Sequence, residues 1–121
     1  MPNRNVLEEF IATVVAGKHD AAIERYYTED ASMQENLDPP RNGREGLVAR
    51  EKAVMAAFKS IGSECVRPVF VDSDRVVIRW IFTFKSADGK ERRMDELAYQ
   101  RWEGDRIAEE RFYYDPKQMQ A

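Results

Sequence analysis

The groups in this chain able to do chemistry are acids and arginines rather than thiols or imidazoles. There is one cysteine, Cys65, and one histidine, His19. One of each cannot make a zinc ligand set. An all-carboxylate site for a hard cation stays open, but no calcium-loop spacing occurs, so the expectation is no metal and no cofactor. Cys65 lies in an apolar stretch with no histidine close in sequence to activate it, and reads as a small core residue. His19 sits in Gly17-Lys18-His19-Asp20, between two helical segments, and reads as a surface residue. Carboxylates remain. A glutamate turned into a pocket lined by Met, Phe and Tyr loses its hydration. Burial and repulsion between neighbouring carboxylates then favour keeping one protonated near neutral pH, as a general acid or base requires. An arginine beside it opposes that shift, or takes up an anionic group of a ligand. Glu35, Glu96 and Glu110 lie in strand-like segments among Met33, Met94, Ala98 and Phe112, and Arg79 interrupts the most apolar segment.

Two kinds of element must hold these residues. The first half reads as helices. Asn5 and Glu8 have capping-box spacing, and Leu7, Phe10, Ile11, Val14 and Val15 follow at helical intervals before Gly17. Asp20 caps a second helix over Ala21 to Tyr27, with Tyr26 and Tyr27 on it. Ala31 to Asn36 is a short strand, ended by Leu37-Asp38-Pro39-Pro40. A third helix starts near Asn42 or Gly43, with Leu47, Val48, Val54, Met55 and Phe58 as its stripe and Gly62 just beyond it. The second half reads as strands: Cys65 to Val71, Arg75 to Lys85, Glu91 to Trp102, and Arg106 to Tyr114. Pro68 demotes the first of these toward an edge or a bulge. Asp88-Gly89 supplies the positive φ angles of a hairpin turn between the second and third. Helices segregated from a mostly antiparallel sheet make this an α+β chain.

Composition narrows the function classes. At 121 residues with 43% hydrophobic content, one core forms without staples, and residues 1–121 read as one domain. The net charge of -3, with signs mixed, lacks the basic patch that nucleic acid demands. No run of 18 apolar residues spans a membrane, and Met1 to Glu9 turns acidic where a signal peptide would be apolar. A cytoplasmic location is expected. The strand Arg75 to Lys85 is apolar on both faces, so its second face needs a partner, and a second copy of the chain is the simplest one.

The element order resembles the nuclear transport factor 2-like superfamily, which includes SnoaL-like polyketide cyclases, ketosteroid isomerases and limonene-1,2-epoxide hydrolase. The resemblance covers nearly the whole chain. It rests on Tyr26-Tyr27-Thr28-Glu29-Asp30-Ala31, on Pro39-Pro40-Arg41-Asn42-Gly43-Arg44, on Trp102-Glu103-Gly104-Asp105-Arg106-Ile107, and on Phe112-Tyr113-Tyr114-Asp115. It implies three helices packed on a strongly curved sheet that forms a cone around an internal pocket. Periodicity gives two alternating sets of side chains on each strand. The resemblance places Met33, Glu35, Val77, Arg79, Ile81, Met94, Glu96, Ala98, Glu110, Phe112 and Tyr114 inside. It leaves Trp80, Phe82, Leu97, Tyr99 and Tyr113 outside as a homodimer face. The implied site residues are Glu35, Glu96, Glu110 and Arg79, with Phe10, Tyr26, Met33, Met55, Met94, Ala98, Phe112 and Tyr114 against the ligand.

Glu35 falls where ketosteroid isomerases carry their proton-abstracting aspartate. The isomerases' oxyanion-hole positions hold Phe10 and Ala98, which donate no side-chain hydrogen bond. Arg79 falls on the epoxide hydrolase's arginine, but that enzyme's two aspartates fall on Ile81 and Phe112. The fold hosts many functions, so three readings stand side by side. One is a cofactor-free acid–base enzyme (isomerase, cyclase or lyase) with Glu35 as base, Glu96 or Glu110 as acid and Arg79 orienting the substrate. The others are a non-catalytic binder of a small hydrophobic molecule and a protein-interaction module.

Overall fold

A computed structural model describes residues 2–120. Asn3 caps the first helix, α1 (Arg4–Val15), its side chain accepting from the N–H groups of Asn5 and Val6. The capping residue is thus Asn3, not Asn5. The stripe Leu7, Phe10, Ile11 and Val14 is buried as the spacing predicts, and Gly17 follows at φ 83°. Next come α2 (His19–Tyr26), β1 (Tyr27–Glu35), a two-residue β2 (Arg41–Asn42) and α3 (Arg44–Ala57). Neither α2 nor α3 has a side-chain cap, so the expected roles of Asp20 and Asn42 are not taken up. Strand β1 begins at Tyr27, earlier than the expected Ala31, and β3 takes in Gly62.

The remaining strands form a meander, β3 (Ser60–Asp72), β4 (Arg75–Lys85), β5 (Glu91–Glu103) and β6 (Arg106–Tyr113), closed by a 3-10 turn over Pro116–Met119. The sheet runs β2-β1-β6-β5-β4-β3, with β1 parallel to β6 and every other pair antiparallel. This is the α+β fold, three helices on a six-stranded mixed sheet that is not closed into a barrel. β3 is an edge strand, and its register shifts between Val66 and Phe70, so Pro68 sits where a missing N–H is tolerated.

Register decides which side chains face the helices. Residues opposite each other on antiparallel strands share a face. Trp80 lies opposite Glu96, Ile78 opposite Ala98, and Ala98 opposite Phe112. The inner set of β4 is therefore Val76, Ile78, Trp80, Phe82 and Phe84. Val77, Arg79 and Ile81 point to the other face. The expectation for β4 is reversed by one residue, while those for β5 and β6 hold. The core gathers around Phe10, whose ring meets Tyr26, Tyr27, Trp80 and Trp102 edge-on at 5.7 to 6.5 Å.

Candidate functional site

Between the inner face of the sheet and the three helices lies a cavity of about 180 Å³. Phe10, Tyr27, Trp80, Phe82, Phe84 and Phe112 line it, with Met33 and Met94 beside them. Three of the expected site residues, Glu35, Glu96 and Glu110, line it together.

Glu110 is held by a chain of neutral groups. Trp102 can only donate, and its Nε1–H meets Gln100 Oε1 at 2.9 Å. That turns the Gln100 amide so that its Nε2 donates to Glu110 Oε2 at 2.7 Å. The Tyr27 hydroxyl donates to the other carboxylate oxygen. Gln100 is 0% exposed and Glu110 3%. Burial pushes the Glu110 carboxyl up and the two donors pull it back, leaving it at about 7. The same burial, with the nearby carboxylate, raises the Tyr27 phenol well above its ordinary value.

Glu96 has no such support. It is 5% exposed, and no hydrogen bond from the described residues lowers its carboxyl. Burial, then the charges of Glu110, Glu35 and Glu51, raise it to about 8. At neutral pH it is mostly a carboxylic acid, able to donate a hydrogen bond.

Glu35 differs again. Asn36 follows it at φ 50°, a conformation asparagine tolerates, and ties the end of β1 to β6. Its N–H donates to Phe112 O at 2.8 Å, and its Oδ1 accepts from Tyr114 N at 3.0 Å. This brings the Tyr114 hydroxyl to Glu35 Oε1 at 2.8 Å. Arg41 donates to Oε2 at 2.9 Å, and Arg50 stands 3.6 Å from the same oxygen. Burial raises the Glu35 carboxyl, but these hydrogen bonds and charges outweigh it and hold the group below its ordinary value.

The other expected site residues part company with the cavity. Arg79 lies on the outer face, exposed, with Nε and Nη2 on Asp95 at 3.0 and 2.6 Å. Met55 does not line the cavity; its α3 neighbours Arg50, Glu51 and Val54 do. Tyr26, the last residue of α2, is buried against Phe10, and Tyr27 takes the wall position instead. Ala98 is buried in the core beneath the cavity. Tyr114 reaches the site only through Glu35.

Sequence reasoning missed a second polar group. His19 is buried, not on the surface. It lines the cavity with its ring edge-on to Phe82, Nδ1 3.3 Å from Glu51 Oε1 and Nε2 2.7 Å from Ser63 Oγ. These contacts span 32 and 44 residues, so no local signal announces them. Arg41 was quoted only as part of a loop motif, yet the short strand β2 carries it to the cavity mouth.

The fold and this cavity define a class, and comparison with known proteins agrees. The chain belongs to the SnoaL-like domain family, whose model matches residues 7–110. The chain is also similar to a Mesorhizobium loti protein assigned as a SnoaL-like polyketide cyclase, at 23% identity and TM-score 0.75, covering 91% of this chain and 97% of that one. A polyketide cyclase assigned in Acidithiobacillus ferrooxidans gives 21% and 0.76, covering 94% and 88%. A ketosteroid isomerase-like protein of Catenulispora acidiphila, in complex with trimethylamine, gives 13% and 0.77, covering 93% and 87%. At these identities the likeness is one of fold. No curated protein matches the chain.

Proposed function

We propose that this chain is a cofactor-free acid–base enzyme acting on a small, mostly apolar organic molecule, in the isomerase, cyclase or lyase class. The observation that carries the reading is Glu96: a buried carboxyl at about 8, lowered by no cation among the described residues, on the wall of a cavity that also holds Glu110. Two titratable groups whose surroundings differ in this way divide acid from base. Glu110, fixed as an acceptor by Tyr27 and Gln100, takes a proton from a carbon next to a substrate carbonyl. The electron pair moves onto the carbonyl oxygen. The Glu96 acid meets that oxygen and supplies the proton or hydrogen bond it then needs. Tyr27 and Gln100 are positioning residues. Glu35, held ionised, sets the polar rim with Arg41 and Arg50. Arg79 has no part. Relatives assigned as polyketide cyclases make a ketone or enol the first substrates to try.

The test is proton exchange in deuterated water, followed by NMR at the carbon next to the carbonyl across a panel of small cyclic ketones. Glu96→Gln should lower the exchange rate about 10²- to 10⁴-fold for an accepted ketone. Unchanged exchange in Glu96→Gln overturns the reading. A second reading, a carrier that returns its ligand unaltered, draws on Glu110, both of whose oxygens already have protein donors. Tight binding with no exchange over long incubation favours it.

The outer sheet face supports a further part of the proposal. Phe70, Leu97, Tyr99 and Tyr113 are exposed there, which suits a sheet-to-sheet homodimer in the cytoplasm. Trp80 and Phe82, expected on that face, line the cavity instead. A light-scattering mass of one chain at micromolar concentration counts against the dimer.

A further inference from the structure

The cavity's charges are sorted by depth. Among the described residues its lysine and arginine lining is Arg41 and Arg50 alone. Both sit at the mouth, with side chains 40% and 48% exposed, whereas Glu96 and Glu110 are sealed within. Arg41 and Arg50 share the Glu35 carboxylate, while Glu51, which also lines the cavity, stands 3.3 Å from His19. The arginines' donors are also largely unspent. A guanidinium has five N–H groups. Among the described residues Arg41 uses one, on Glu35, and Arg50 stands beyond hydrogen-bond distance from the same oxygen. Arg67 and Arg79 elsewhere are each bound bidentately by an acid.

Size and shape add to this. A protein cavity of about 150 Å³ accommodates benzene. At about 180 Å³ this one has room for one ring and a short substituent. Trp80 and Phe82, stacked on each other at 5.7 Å, line one side and give a ring an aromatic surface to pack against. A ligand anion placed at the inner end would face Glu96 and Glu110, so the anion belongs at the mouth.

We infer that the molecule taken into the cavity is a single-ring organic acid, its carboxylate read by Arg41 and Arg50 and its ring held against the aromatic wall. This rests on the reading of the cavity as the small-molecule site, but not on any catalysis there.

The experiment is calorimetric titration of the full chain with benzoate, with benzamide as the neutral isostere, and with 2-naphthoate as the two-ring probe. Benzoate should bind saturably, benzamide and 2-naphthoate each about tenfold more weakly. Arg50→Gln and Arg41→Gln should each weaken benzoate about tenfold and leave benzamide unchanged, which also shows that the variants are folded. Benzamide or 2-naphthoate binding as tightly as benzoate, benzoate affinity indifferent to both arginines, or no saturable benzoate binding overturns the inference. Glu96→Gln separates this from the acid–base proposal. If that variant keeps full exchange activity while benzoate still depends on Arg50, the chemistry is wrong and the ligand class stands.

Discussion

Asp95 and Glu96 are neighbours on β5 and live in opposite worlds. Asp95 points outward, where a bidentate Arg79 holds its carboxyl below the ordinary value. Glu96 points inward, is lowered by no cation among the described residues, and is pushed up to about 8. One residue of strand parity separates a solvated ion pair from a neutral acid on a cavity wall. A sheet with one face on a cavity and the other turned away from it can thus place carboxylates of opposite character side by side, and it does so through register alone.

The contrast can be broken in several ways, largest effect first. Glu96→Gln should lower turnover about 10²- to 10⁴-fold, while Asp95→Asn leaves kcat within about twofold; equal losses in the two would dissolve the distinction between the faces. Next is stability against pH. Glu96 has a raised folded value, so the unfolded chain ionises first as pH rises. Its contribution is intact below about 4.5 and is lost as pH climbs toward 8. At about 1.4 kcal/mol per pH unit, the folded state gives up on the order of 3 kcal/mol by pH 7. Glu96→Gln should recover about 2 kcal/mol there and flatten the profile between pH 5 and 8, as denaturant midpoints would show. A profile unchanged by the substitution contradicts the shift.

Smaller effects sharpen the same contrast. Tyr27→Phe removes a donor from Glu110, so the Glu110 carboxyl should rise further above about 7 and the acidic limb of the rate profile should move to higher pH. The buried acceptor left short of a partner should also cost about 1 to 3 kcal/mol of stability. On the outer face, Arg79→Gln should leave turnover nearly where it was, because its ion pair with Asp95 stands apart from the cavity. A large loss from that change would mean that Arg79 serves the site after all.

The fold was legible in the sequence because its signals are local. The α1 stripe, Pro68 on an edge, and Asp88-Gly89 between β4 and β5 each follow from a few consecutive residues. The site was legible in part. Glu35, Glu96 and Glu110 line the cavity as the family resemblance implies, since strand periodicity by itself leaves two alternating sets. Arg79 was misplaced because alternation yields two sets per strand and does not say which is inside. Pairing across the hairpin supplies that choice: Lys85 opposite Glu91 sets Trp80 opposite Glu96, and the whole inner set of β4 follows. Tyr26 was preferred to Tyr27 because the junction of α2 and β1 falls between them, where a shift of one residue exchanges core for cavity. His19 was read as exposed because Glu51 and Ser63 reach it only after α3 and β3 have packed.

The most direct measurement is a carbon-13 NMR titration of the side-chain carboxyls, with Glu96→Gln and Asp95→Asn to assign the two signals. The Glu96 carboxyl should titrate at about 8, and that of Asp95 below its ordinary value. A Glu96 signal titrating in the usual glutamate range, close to that of Asp95, would contradict the claim that the inner face of β5 carries the acid.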